Sequence, residues 1–330
     1  MSKRNTNLDL LKSIACLGIL GLHCIGYVNY TLYYICTFAV PIFFMVNGYL
    51  MFSKPAVTLK YACTKVLSLL RIIIIWNLII TLPMMILRHK FINPLTQICK
   101  SLIQQGYLWH FWFFGALLVL YILLVPLHKL LNHPKYGLST HIVLLTILLV
   151  LCIGNTVYSY FSHYPMCAFV PQSLRLWVSL FYYLAGGLIS RLKDCNFFKK
   201  VSIIPLFTAV LAFGIICNYG QKHLGYYGYN LRAAEYFYDE ITVIIWCLCI
   251  FIFFIKLPIS LKLNSCILKF SNLTLGIFIV HPLFLKASEV VITPKTTPQA
   301  VALWGIITLI SIIASWIISK IPYVKKLIEL

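Results

Sequence analysis

The chain has 330 residues, of which 61% are hydrophobic and only 10% charged. A soluble domain carries about 25% charged residues, so this composition leaves too little polar surface for a water-soluble fold and reads as an integral membrane protein. The net charge of +20 comes from 27 Lys and Arg against 7 Asp and Glu. The bases sit as short punctuation between apolar runs, where they face anionic lipid. No basic patch interleaved with aromatics is present, which argues against nucleic acid as a partner.

Runs of roughly 18 to 22 apolar residues mark about ten spans. They cover approximately 8–28, 31–52, 62–87, 108–127, 140–154, 173–190, 201–218, 240–256, 270–286 and 299–319. The expected architecture is an all-α, polytopic membrane bundle forming a single domain over 1–330. The opening "MSKRNTN" is short and basic, but no small-residue cleavage site follows it. The first span therefore reads as a retained helix and not as a removed signal.

Loop charges give the orientation. With the N-terminus cytoplasmic, the inner side collects Lys3, Arg4 and Lys12, Lys54, Lys60 and Lys65, Lys129 and Lys135, Arg191, Lys193, Lys199 and Lys200, Lys256, Lys262 and Lys269, and Lys320, Lys325 and Lys326. The outer side receives Arg88, Lys90, Lys100, Lys222, Arg232, Lys286 and Lys295, so the tally is 18 against 7, with Arg71 and Arg175 within or near the membrane. That asymmetry predicts both termini inside. Most of the twelve cysteines lie in apolar spans as small packing residues. Cys99 and Cys167 fall in expected outer loops and could pair, although packing is the favoured reading. The outer segment "YGQKHLGYYGYNLRAAEYFYDE" holds three acids, Arg232 and several tyrosines. Its tyrosines suit an interface anchor, and the same mixture suits a mouth for a polyhydroxylated acceptor.

Ionisable groups inside spans cost roughly 2.5–3.5 kcal/mol each on insertion scales and point to function. In "NLDLLKSIACLGILGLH" a helical turn of about 100° per residue aligns Asp9, Lys12, Cys16, Ile19 and His23 on one stripe. Asp9 and His23 are separated by about 21 Å along that axis and cannot touch. The stripe predicts a channel with a charged cytoplasmic foot and an imidazole near the outer third. His23 is the favoured general base, although a histidine that only packs between helices fits as well. "VPIFFMVNGYLM" places Asn47 and Gly48 near the inner end of the second span, for a helix hydrogen bond and a close helix approach. Lys65 and Arg71, near the inner side of the third span, suit cofactor phosphates or snorkelling to lipid head groups. "YLWHFWFF" sets His110 beside Trp109 in an aromatic belt. "SNLTLGIFIVHP" ends with His281 and Pro282, where proline frees a carbonyl and marks a bend. His23, His110 and His281 are thus expected at similar depth in the outer half. No cluster at metal-ligand spacing is present.

Together these stretches resemble the acyltransferase 3 family, membrane enzymes that O-acylate bacterial surface glycans. "NLDLLKSIACLGILGLH" is similar to its first-helix pattern LDxLRxxA followed by an apolar run to His. "PIFFMVNGYLM" is similar to its P-x-F-F-x-x-S-G-Y/F segment, "YLWHFWFF" to its H-L-W-F/Y element, and "SNLTLGIFIVHPLF" to its last histidine motif. Size and the lack of an appended domain resemble the short enterobacterial common antigen O-acetyltransferase type. The sequence departs from the pattern at Lys12, where the family has Arg, at Asn47, where it has Ser, and at Ser68, one position of an Arg pair completed here by Arg71. The resemblance implies an inner-membrane O-acetyltransferase with acetyl-CoA as cytoplasmic donor and a lipid-linked or surface glycan as acceptor. It maps the essential histidine onto His23. Asp9, Lys12, Lys65 and Arg71 are then donor-side candidates, and Trp109, His110 and His281 seat the sugar or the oxyanion. A sugar-lipid transporter or flippase is the alternative, lowered by the absence of an obvious internal repeat.

Overall fold

The computed structural model describes residues 4–329. Lys3, one of the inner bases, lies outside the described residues. Among those residues the chain contains helices and turns and no strand. The helices are α1 (Thr6–Cys24), α2 (Tyr30–Ile35), α3 (Ala39–Phe52), α4 (Leu59–Leu87), α5 (Pro94–Leu102), α6 (Trp112–Leu131), α7 (Gly137–Phe161), α8 (Leu176–Leu192), α9 (Asn196–Lys200), α10 (Ile203–His223), α11 (Ile241–Lys256), α12 (Leu261–Glu289) and α13 (Thr297–Lys320). Each of the ten predicted spans corresponds to an apolar helical segment. Eight are long and apolar enough to cross a membrane, while α8 and α11, with 17 and 16 residues, are shorter.

Local chemistry explains where the boundaries moved. The second span breaks between α2 and α3 because Pro41 has no N–H to continue a helix through Thr37. Pro41 instead sits in the first turn of α3, where that donor has no partner in any case. The Thr37 hydroxyl turns aside and donates to Gln221 Oε1 at 2.7 Å. Helix α7 continues past the expected end at 154 to Phe161, since Gly154 meets open space and nothing there forces a stop. Two short helices, α5 and α9, were not expected. The first starts at an Asn93 cap whose side chain accepts from the Leu95 and Thr96 amides at 2.9 and 3.4 Å.

Burial sorts the helices into an inner group and a shell. Helices α1, α3 and α6 are mostly buried, whereas α7, α10 and α13 expose apolar faces that include Ile147, Val150, Ile215 and Leu309. Such faces are stable only against hydrocarbon, so the bundle is a multi-pass membrane protein. The inner group is locked by a glycine contact between α3 and α8. A Cβ on Gly48 would lie 1.8 Å from the Tyr183 carbonyl oxygen, and one on Gly186 would lie 1.9 Å from that of Met45. The two backbones therefore touch at both points, as small residues permit between membrane helices. Beside Gly48, Asn47 Nδ2 donates to Tyr121 Oη at 3.1 Å.

The C-terminal turn Val324–Leu327 is fastened to α4. Arg71 donates to the Lys326 carbonyl at 2.9 Å and Trp76 Nε1 donates to the Leu327 carbonyl at 3.0 Å, with Ile328 buried beyond them. A charge-assisted hydrogen bond contributes about 1.5–3 kcal/mol. Arg71→Met is therefore expected to free the segment after Ile321 for carboxypeptidase trimming while the remaining bundle stays protected. A rise in acyl-donor KM without trimming would instead assign Arg71 to donor phosphates.

Candidate active site

Helix α1 begins at Asn5, whose side chain accepts from the Asn7 and Leu8 amides at 3.0 and 3.3 Å. Asp9 follows in the first turn, where the helix dipole favours an anion. Its carboxylate is buried and well supplied with partners. Arg4 donates to both oxygens at 2.7 and 3.0 Å, Ser271 donates at 2.6 Å, and Lys12 Nζ stands 3.4 Å away. Asp9 thus ties α1 to α12 at the foot of the bundle.

The predicted stripe lies along α12 for its whole length. Asp9 meets Ser271, Cys16 Sγ approaches the Thr274 carbonyl at 3.6 Å, and His23 meets His281. Cys16 is buried, so the middle of the stripe is packed protein and not the open channel expected from the periodicity. Space begins one turn later, at Ile19. Composition could not distinguish a wet stripe from a packed one, because cysteine serves in both.

The three histidines from three separate spans converge at the other end of α1. His23 and His281 stack with ring centroids 5.3 Å apart, His110 lies 5.8 Å from His281, and Trp109 meets the His23 ring edge-on at 4.8 Å. Phe278, one helical turn before His281, completes the cluster at 5.3 Å from His110. The short turn Trp109–Phe111 carries two of these groups ahead of α6, so their rings project between α1 and α12. His281 Nδ1 lies 3.1 Å from the Ile277 carbonyl. A carbonyl only accepts, so Nδ1 carries the proton and Nε2 presents a lone pair. That Nε2 and both ring nitrogens of His110 are buried without a well-formed hydrogen bond among the described residues. The contrast is with His128 and His141, also buried, whose Nε2 atoms pair with the Lys54 and Leu184 carbonyls at 3.0 and 2.9 Å. Those two rings are tied to backbone at short distance, whereas His110 has only a looser interaction with the Ile279 backbone.

A cavity of about 80 Å³ opens beside His23, Trp109 and His110, room for several water molecules. Its remaining wall includes Tyr33, Trp112, Gln172, Glu235 and Tyr238. Residues 233–238 therefore fold inward from the outer segment, and Ala234, Phe237 and Tyr238 are buried. Gln172, Glu235 and Phe278 were not among the predicted site residues. The acids and tyrosines of the outer segment were the signal for Glu235, whereas Gln172 and Phe278 stood out in no pattern.

The donor-side candidates fall in separate places. Asp9 and Lys12 lie under α12. Lys65 lies 5.7 Å from the centre of the Tyr61 ring, which Lys54 also approaches at 4.8 Å, and Arg71 holds the C-terminal turn. Cys99 is an exposed free thiol on α5 and Cys167 a buried one, so the suggested pair is not formed. Among the described residues no group of three or more His, Cys, Asp or Glu could hold a metal ion.

Residues 5–320 match the family model described as an acyltransferase domain. The chain belongs to the acyltransferase 3 family. Comparison with curated proteins and with solved structures gives no match. Membership makes this protein an acyl-transferring membrane enzyme, which displaces the transporter alternative. An acyltransferase needs a group to accept the proton of an incoming nucleophile, and donors for the oxyanion that forms.

Next to the acyltransferase's cavity, burial pushes the Asp239 carboxyl up to about 6, against the Trp177 N–H and Arg175. In the unfolded chain this group releases its proton near the ordinary aspartate value, so between roughly pH 4 and 6 the folded state holds one proton more. Stability from this group is thus present at low pH and is lost as pH rises through about 6. Asp239→Asn is expected to unfold at a higher temperature than the parent at pH 7.5 and to match it at pH 4, measured by thermal unfolding in detergent.

Proposed function

We propose that the protein is an O-acetyltransferase of the bacterial inner membrane. It would move the acetyl group of cytoplasmic acetyl-CoA to a sugar hydroxyl of a lipid-linked or surface glycan. The single observation that carries this reading is the meeting of His23, His110 and Trp109 around one cavity, with the His281 ring stacked on His23, drawn from three spans. Both termini on the cytoplasmic side, the orientation favoured by the loop charges, would set that cavity in the outer half, facing the acceptor. The Asp9 and Lys12 foot would then face the donor. A single domain over 1–330 would serve both, a reading supported by a family match that spans residues 5–320.

In this reading a ring nitrogen of His23 takes the proton of the acceptor hydroxyl as its oxygen attacks the thioester carbonyl. Trp109, with His110 beside it on the cavity wall, stabilises the tetrahedral oxyanion. The intermediate collapses by breaking the C–S bond, and the departing sulfur receives the proton from His23. His281, whose Nε2 accepts and does not donate, is unsuited to the oxyanion and would act through its stacked contact with His23. Mass analysis of surface glycan from an expressing strain and from a deletion strain tests the function. A glycan lighter by one acetyl group per modified sugar in the deletion is expected. Identical glycans, or a change in glycan amount alone, would defeat the reading.

A further inference from the structure

The same cavity is lined by two groups that can accept hydrogen bonds, Gln172 and Glu235. Gln172 opens the turn Gln172–Leu174 between α7 and α8, is 4% exposed, and keeps Oε1 buried without a partner. Glu235 reaches the same cavity from the outer segment. Its position is fixed from outside the cavity. Arg175 donates to its backbone carbonyl at 3.0 Å and faces its carboxylate at 3.7 Å, and Gln104 donates to the other carboxylate oxygen. Arg175 also donates from Nε to the Val170 carbonyl at 3.0 Å, so its guanidinium is committed to the protein. Glu235 is the one carboxylate and no Lys or Arg is present among the described residues lining the cavity. A buried amide oxygen without a donor is costly and marks a place where a ligand donor completes the site.

We propose that Gln172 and Glu235 are specificity-determining residues that hold the hydroxyls of an uncharged sugar next to His23. The assignment rests on the acyltransferase reading above and names the acceptor class for it. Hydroxyl groups donate to Gln172 Oε1 and to the Glu235 carboxylate. The faces of Trp112 and Tyr238 cover the apolar C–H surface of the ring. A uronate or phosphorylated sugar would find no Lys or Arg in the cavity to offset the loss of its water, and is disfavoured on that ground. The Arg175 partner already neutralises Glu235, so a cationic amino sugar gains little there.

The test uses labelled acetyl-CoA and oligosaccharides released by mild acid from the surface glycan of cells lacking this protein, separated into uncharged and anionic pools. The parent protein is expected to label the uncharged pool. Gln172→Leu, of similar volume, is expected to raise KM for that pool about tenfold, the loss of one buried hydrogen bond, while KM for acetyl-CoA stays within about twofold. Glu235→Gln keeps the backbone bond to Arg175 but leaves its guanidinium without an anionic partner, and is expected to reduce the preference for the uncharged pool at least tenfold. Labelling of the anionic pool by the parent protein, or unchanged acceptor KM in Gln172→Leu with unchanged preference in Glu235→Gln, overturns the assignment alone. Each variant's unfolding temperature and acetyl-CoA KM identify misfolding, and either variant suffices if the other does not fold. A parent protein that labels neither pool defeats the O-acetyltransferase reading, and this assignment with it.

Discussion

His23→Ala is expected to lower acetyl transfer to glycan by about 10²–10⁴-fold, the usual contribution of a positioned general base. His23 stands at the end of α1, half-buried, with the cavity on one side, the His281 ring stacked at 5.3 Å and the Trp109 edge at 4.8 Å. On the proposed mechanism, removing its ring would take away the proton acceptor and leave the oxyanion donors in place, so a residual rate is expected. The change is measured as transfer of labelled acetyl by purified protein whose elution and unfolding temperature match the parent. His128→Ala is the contrasting variant. That ring stacks on Phe52 at 6.0 Å and binds the Lys54 carbonyl, so its loss should lower stability and leave the turnover of folded molecules near normal. If the His23 variant transfers acetyl at the parent rate, the chemistry resides elsewhere.

Gly48→Ala is expected to prevent accumulation of folded protein. The new methyl carbon would lie 1.8 Å from the Tyr183 oxygen and 2.6 Å from its carbonyl carbon, and both atoms are backbone of α8. No rotamer change relieves that contact, so α3 and α8 must separate. Separation also opens the reciprocal contact of Gly186 with Met45 and the close approach of Gly187 to Phe52. Overpacking a core typically costs about 1–3 kcal/mol and more where the obstacle is rigid. Whole domains are stable by only about 5–15 kcal/mol. Gly154→Ala is the control, since its Cβ meets open space and alanine favours the helix by about 1 kcal/mol. The yield of monodisperse protein in detergent separates the two; equal yields would mean that the helices do not cross as described.

The two variants mark different degrees of legibility. His23 stood out because an imidazole in an apolar helix is expensive and therefore rare. Gly48 stood out less, as one of 16 glycines, and its partner Tyr183 lies 135 residues away in the chain. The convergence of His23, His110 and His281 followed from counting spans, because depth in a membrane is set by distance along a helix from its end. Gln172 gave no signal, since glutamine in a short turn has no periodicity and its burial depends on what packs over it. The Asp9 to His23 stripe was correct as a face and wrong as a channel. Angular spacing tells which residues point the same way and says nothing of whether protein or water lies opposite.

The amino-acid sequence alone determined that this chain is a multi-pass all-helical membrane bundle, which apolar helices carry its histidines, and which family its motifs resemble. Those properties are local, fixed by transfer of side chains into hydrocarbon and by helical rise. Tertiary structure decided that α12 closes the seam over Cys16, that Arg71 holds the C-terminal turn, and that Gln172 and Glu235 line one cavity with His23 and His110. Each of these joins segments distant in sequence, and in a membrane such pairings are selected by close packing and satisfied polar groups, which hydropathy does not encode.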